Sequence, residues 1–118
     1  MEKYNYGVTI DRVVDGDTLD VMIDLGFNTH IKRRIRMYGI NAPESRTRDL
    51  EEKARGLASK ERLIEMLDED NIVMKSHGKG KFGRVLGELF VKKENEYISV
   101  NDLLVKEGFA KEYFGGKR

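Results

Sequence analysis

A mainly β, α+β fold is what this 118-residue sequence predicts: a five-stranded barrel with a helix after the third strand and a shorter C-terminal helix. Three observations predict it. Apolar residues alternate with polar ones at Leu19, Val21 and Ile23, the period of a half-buried strand. The period lengthens to that of a helix from Leu50 to Leu67, where Leu50, Ala54, Leu57, Ala58, Ile64 and Leu67 recur. Further strand-like runs follow from Asn71 to Ser76 and from Arg84 to Val91. Three strands, a helix and then two strands is the order of an OB-type barrel.

Each element has its own local reasons. Val8–Ile10 and Val13-Val14 lead into a first strand, and Asp15-Gly16 is a hairpin-turn pair. Beyond it Leu19, Val21 and Ile23 face one way, and Thr18, Asp20 and Met22 the other. Asp17 shares the inward parity, and a lone buried acid is costly, so it should sit at the barrel mouth or hold a cation. Leu25-Gly26-Phe27-Asn28 makes the next turn, and Ile31, Ile35 and Met37 mark a third strand ended by Gly39 and Pro43. The helix turns Leu50, Ala54, Leu57, Ala58 and Ile64 toward the core, and its Gly56 is a cost unless something packs closely there. His77 to Gly83 holds three glycines and reads as a linker. Ser99-Val100-Asn101-Asp102 reads as a helix start with a capping carboxylate, and Gly108 as the stop after Leu103, Leu104 and Val105.

Composition bounds the function. The length suits one domain spanning residues 1–118 with a core that needs no staples. The absence of cysteine excludes disulfides, thiolate nucleophiles and thiolate metal sites. No apolar run approaches the roughly 20 residues of a membrane span. Met1-Glu2-Lys3-Tyr4 has none of the apolar character of a secretory signal, so a cytoplasmic location is expected, with no membrane partner. The net charge of +1 conceals an uneven distribution. Lys32, Arg33, Arg34 and Arg36 form one basic block, and Lys75, Lys79, Lys81 and Arg84 another. Such blocks on a nearly neutral chain point to a local anionic ligand, or else to an ion-paired surface.

A set of charged and polar residues stands where strands end. Asp17 follows the first turn, Arg36 closes the basic strand, Asn41-Ala42-Pro43-Glu44 comes next, and Arg84 ends the glycine-rich linker. Two carboxylates, two arginines and an amide suit metal-assisted attack on a phosphodiester, provided folding brings them together. A guanidinium is a charged planar fork that fits phosphate bidentately. Two of them can stabilise the charge of a pentacovalent transition state. A hard cation on oxygen ligands neutralises phosphate, and a nearby carboxylate serves as general base.

Val14-Asp15-Gly16-Asp17-Thr18, Arg36, Gly39 to Glu44, Gly56-Leu57-Ala58, Lys81-Phe82-Gly83-Arg84 and Asn101 to Ala110 together resemble the staphylococcal nuclease (thermonuclease) family. The resemblance runs from about Val8 to Ala110, with the motifs in order. It implies an OB-fold barrel and a calcium-dependent nuclease acting on DNA and RNA with little sequence preference. The strands would be single or unwound, and the enzyme a monomer. By that resemblance Arg36, Glu44 and Arg84 are catalytic, with Glu44 activating water. Asp17, Asn41 and the Ala42 carbonyl are the metal ligands for one Ca2+, and Asp15 supports them from behind. Lys81, Phe82 and Tyr113 are substrate contacts, and Phe114 is a further candidate for base stacking.

Asn41 departs from the family pattern, which commonly has an aspartate there. An amide oxygen can ligate calcium but brings no charge, so weaker metal binding is expected. The alternative is a catalytically silent nucleic-acid-binding module. Arg46 and Arg48 flank Glu44 and either recruit substrate or pair with helix acids. His77 is read as an ordinary loop residue.

Overall fold

The computed structural model of the protein describes residues 5–68, 71–79 and 84–113. Strands β1 (Asn5–Asp15), β2 (Thr18–Gly26) and β3 (Thr29–Met37) form an antiparallel meander. There follow β4 (Ile40–Asn41), α1 (Leu50–Met66), β5 (Ile72–Lys79) and β6 (Val85–Lys93). The chain continues through β7 (Glu96–Ser99), α2 (Val100–Lys106) and β8 (Lys111–Glu112). Strand β5 pairs with β1 and β6, and β6 returns to β3 in parallel, closing a ring in the order β3-β2-β1-β5-β6. That is the OB-type barrel the sequence predicts. Strand β7 extends β6 as a hairpin, and β4 pairs with β8 beside the barrel.

Register follows from the alternation read in the sequence. Leu19, Val21, Ile35 and Leu89 point inward and have no exposed surface, as do Leu63 of α1 and Val100 and Leu104 of α2. Burying each contributes roughly 1.5–3 kcal/mol. The β2–β3 turn carries Phe27 (φ 55°) and Asn28 (φ 61°), the paired left-handed residues whose twist suits a tight hairpin.

Helix α1 corrects one expectation. Asp49 caps it by accepting from the Glu51 and Glu52 N–H groups, but the apolar stripe faces the wrong way for a core. Leu50 (80%), Leu57 (47%) and Ile64 (48%) are exposed, and so are Ala54 and Ala58; of that stripe Leu67, at the helix end, is buried. The buried face is Gly56, Ser59, Leu63 and Met66. The reason is steric. A Cβ on Gly56 would lie 2.3 Å from the Glu44 carbonyl oxygen, and one on Gly16 would lie 2.6 Å from the Ser59 Cβ. At Gly56 the helix packs against backbone, and at Ser59 against the Gly16 turn, so the first part of its buried face is made of small residues that a hydrophobicity pattern does not register; Leu63 and Met66 carry the same face into the core.

Two smaller corrections concern the second half of the chain. Strand β5 continues through Lys79, which places His77 in a strand and not in a linker. In α2 the cap is the Ser99 hydroxyl, accepting from the Asp102 N–H at 3.3 Å, while the Asp102 carboxylate sits in the first turn. Gly108 (φ 83°) follows the helix end as expected.

Candidate functional site

The register turns Arg36 outward. It pairs with Thr18 across β2–β3 and with Leu86 across the parallel β3–β6 seam. Asp17 stands in the β1–β2 turn, tied to the end of β3 by the Met37 N–H donating to its carbonyl at 2.8 Å. Its carboxylate accepts from the Thr18 hydroxyl at 2.9 Å and from the Ala42 N–H at 2.8 Å. The Arg36 Nη2 lies 3.5 Å from the same Asp17 Oδ2 and donates to the Asn41 Oδ1 at 3.4 Å. Arg36 Nη1 donates to the Met37 carbonyl at 3.0 Å. Asp17 and Arg36 are 6% and 7% exposed, so the acid is buried, not alone but among donors and beside the Arg36 guanidinium. Three separated pieces of chain, the Asp17 turn, the end of β3 and the Asn41-Ala42 segment, thus meet at one point.

The segment after Ala42 is fixed from beneath. Gly56 lets α1 touch the backbone of Glu44 and Ser45, and the Glu44 N–H donates to the Glu52 carboxylate at 3.2 Å. The Glu44 side chain itself is exposed to solvent. The Ser45 hydroxyl donates to the Asp15 carboxylate, and the Arg46 guanidinium lies 4.0 Å from it. Asp15 therefore anchors the loop that follows Glu44. Arg84, half-buried, stands immediately ahead of β6, on the parity of Leu86 and hence on the face that Arg36 shares. Tyr113 is half-buried, with its N–H donating to the Gly39 carbonyl at 2.8 Å. Lys81, Phe82 and Phe114 lie outside the described residues.

The first basic block divides. Lys32 pairs with Asp11 at 2.9 Å and Arg34 with Asp20 at 2.8 Å, so both belong to the ion-paired surface. The Arg34 hydrogen bond holds the Asp20 carboxyl below its usual range, and Asp20 in turn raises the Arg34 guanidinium. Arg36 alone of that strand's outward cations is turned into the site.

The donors available to a metal here are oxygens, which suit calcium or magnesium better than zinc. Asp17 offers a carboxylate and Asn41 an amide oxygen, both already in reach of one guanidinium nitrogen. The Ala42 group joined to Asp17 is its N–H. Among the described residues no group of three or more His, Cys, Asp or Glu side chains converges on a point. The set fits a weak oxygen site with one formal negative charge among its ligands.

Sequence reasoning passed over two groups. Asn101, 2% exposed, accepts from the Leu89 N–H at 3.1 Å and donates to the Tyr38 and Gly87 carbonyls at 2.8 and 3.2 Å. It locks the end of β3 to β6, a role no single-residue signal announces. Tyr38 and His77 stack with ring centroids 4.0 Å apart and planes 3° from parallel. They sit far apart in the chain, and only the barrel closure brings them together.

Comparison with known proteins agrees with this fold. The family model described as staphylococcal nuclease homologue matches residues 34–118. The matched span includes Arg36, Asn41, Ala42, Glu44 and Arg84, while Asp17 precedes it and reaches the site through the fold. The chain is also similar to Protein ParB of Escherichia coli, with 29% identity over 107 residues, covering 86% of this chain and 54% of that protein. It spans about half the length of that curated relative. By the extent of the family match and the barrel that carries it, the chain belongs to the staphylococcal nuclease homologue family.

Proposed function

We propose that the protein is a calcium-dependent nuclease that hydrolyses phosphodiester bonds of DNA and RNA, single-stranded or unwound, with little sequence preference. The observation that supports this most is the meeting of Asp17, Arg36 and Asn41 at the end of β3. Closing a barrel end needs no such group, since well-packed apolar residues do as well as or better than a buried ion pair. A buried acid, a guanidinium and an amide are retained where an anion and a cation are to be handled.

In this reading Arg36 and Arg84 grip the scissile phosphate. Arg36 reaches Asp17 and Asn41 at 3.4–3.5 Å, long for charge-assisted contacts, and a phosphate would offer the guanidinium a closer, bidentate partner. Glu44, solvent-exposed on a backbone clamped by α1, takes the proton from the attacking water, worth about 10²–10⁴-fold in rate. Asp17, Asn41 and the Ala42 carbonyl would hold calcium, which when bound neutralises charge on the phosphate oxygens. Asp15, through Ser45, keeps the Glu44 segment in place.

The test is incubation with single-stranded DNA and RNA, with calcium or with a chelator, beside Glu44→Gln. Degradation should need calcium and fall by about 10²–10⁴-fold in the variant. Degradation that persists with chelator or in the variant would sink the mechanism. A second reading, a silent nucleic-acid-binding module, is favoured by the neutral Asn41 and by Arg36 already lying against both oxygens. Oligonucleotide binding without cleavage under any divalent metal would select it.

A further inference from the structure

Helix α1 leaves its most apolar side uncovered. Leu50, Leu57 and Ile64 stand seven residues apart and are all exposed. At 3.6 residues per turn they form one stripe that drifts by only about 20° per seven residues, the repeat of a helix-pairing seam. The stripe lies on the far side of the helix from Ser59, Leu63 and Met66, which pack inward. Three large apolar side chains in line on water mark a docking surface, where singly scattered ones would not.

The flanks of the stripe say what docks there. Taken from Leu57, Lys53 and Lys60 stand about 40° and 60° to one side, and Glu61 and Ala54 about 40° and 60° to the other. Lys60 has no acid three or four places away, only Gly56, Leu57, Leu63 and Ile64. Glu61 has no cation at those spacings, and one of its neighbours there is another acid, Glu65. Glu65 also stands in the last turn, which carries no base and where the helix dipole disfavours an acid. Arg62 is near Glu65, but its guanidinium is taken by Glu107 at 2.7 and 3.1 Å. The helix thus carries a cationic and an anionic flank, each lacking its complement, on either side of an apolar seam.

We propose that this face is the interface for a second copy of the chain, with the two α1 helices side by side and parallel. A two-fold axis along the seam stacks Leu50, Leu57 and Ile64 on their own equivalents. It also sets the Lys60 flank of each copy against the Glu61 flank of the other. An antiparallel pair is disfavoured by charge, because it sets Lys53 of one copy against Lys60 of the other. One helix face is a small interface, so association is weak and the single chain is the dilute form. The parallel sense brings both Asp49 caps, and with them the two Glu44 segments, to the same end of the dimer. The proposal is independent of the nuclease reading.

Sedimentation of the full chain over a wide range of concentration tests the proposal, and the absence of cysteine makes cross-linking a clean second readout. The mass should rise from one chain toward two. Leu57→Glu should remain a single chain throughout, with its melting temperature at low concentration unchanged. Lys60→Glu and Glu61→Lys should each weaken association about tenfold, and an equal mixture of the two should restore it, since both charge contacts re-form in the mixed pair. Under mild oxidation Leu50→Cys should cross-link to itself. Cross-linking of Leu50→Cys only when mixed with Ile64→Cys shows an antiparallel pair and overturns the geometry. A mass of one chain at every concentration overturns the second copy and leaves the stripe to an unlike protein. Charge variants that associate as the parent does, alone and mixed, overturn the pairing of flanks on which the proposal rests.

Discussion

Replacing Gly56 by alanine separates local helix preference from tertiary demand. In the middle of a helix the change normally stabilises by about 1 kcal/mol. Here the new Cβ would sit 2.3 Å from the Glu44 carbonyl oxygen, 2.4 Å from its carbonyl carbon and 2.6 Å from the Ser45 nitrogen. These are backbone atoms with no rotamer by which to escape. Restoring ordinary contact requires the helix and the Glu44 segment to part by about 1 Å. Overpacking of this kind costs roughly 1–3 kcal/mol, so the net effect is destabilisation by up to about 2 kcal/mol despite the better propensity. On the nuclease reading the larger effect falls on catalysis, because a 1 Å displacement of a reacting group can cost about 10²-fold. Thermal unfolding and single-turnover cleavage of a labelled oligonucleotide read the two parts separately. A variant that melts higher than the parent and cleaves at the parent rate would refute the close approach.

Other perturbations test neighbouring parts of the structure. On the nuclease reading, Asn41→Asp should lower the calcium concentration for half-maximal cleavage, by roughly tenfold, because it would add a charged ligand; an unchanged requirement in a calcium titration argues that residue 41 is not a ligand. Asn101→Leu strands the Leu89 N–H and takes a donor from the Tyr38 carbonyl, while the Gly87 carbonyl keeps the Tyr38 N–H; it should cost about 2 kcal/mol, seen as a melting temperature lower by roughly 8 °C. Asp20 is held below its usual range chiefly by the Arg34 hydrogen bond, so its stabilisation is present above the ordinary carboxylate range and is lost as the pH falls through its own depressed value. Asp20→Asn should therefore lower the melting temperature slightly near neutrality and not in strong acid; a loss that is the same at both refutes the linkage.

The barrel was legible because its strands obey a period of two and its turns carry their own chemistry. Leu19, Val21 and Ile23 read as inward and are buried, and Asp15-Gly16 and Phe27-Asn28 turn where the sequence turns. The meeting of Asp17 with Arg36 was half legible: parity put the acid inward, at the barrel mouth or on a cation, and held no sign that Arg36 would meet it. Helix α1 was legible in extent and not in orientation. Leu50, Leu57 and Ile64 outweigh Gly56 and Ser59 in any hydrophobic count, yet the surface to be covered is backbone at Glu44 and the Gly16 turn. Small size, not apolarity, selects the contact there. The stack of Tyr38 on His77 and the three bonds of Asn101 depend on which strands adjoin after closure, and a one-dimensional pattern holds no record of that.

On the nuclease reading, the electrostatics of the site argue for coupling between calcium and phosphate. Asp17 and Arg36 cancel, and Asn41 contributes a dipole but no charge. A divalent cation entering among these oxygens faces the Arg36 guanidinium at close range, with one carboxylate to offset both. An aspartate at position 41 would supply the missing charge within the protein. Without it the charge must arrive with the substrate. A phosphate that draws Arg36 outward removes the competing cation from Asp17 and Asn41 and adds negative charge beside the metal. On the nuclease reading, then, calcium and phosphate should each raise the affinity for the other, and by equal factors, since coupling between binding sites is reciprocal. Titrating calcium with and without a saturating non-cleavable nucleotide measures that factor. Asn41→Asp should shrink it, because the variant carries its own compensating charge; a factor near one in the parent protein would mean that Arg36 and the metal do not share those oxygens.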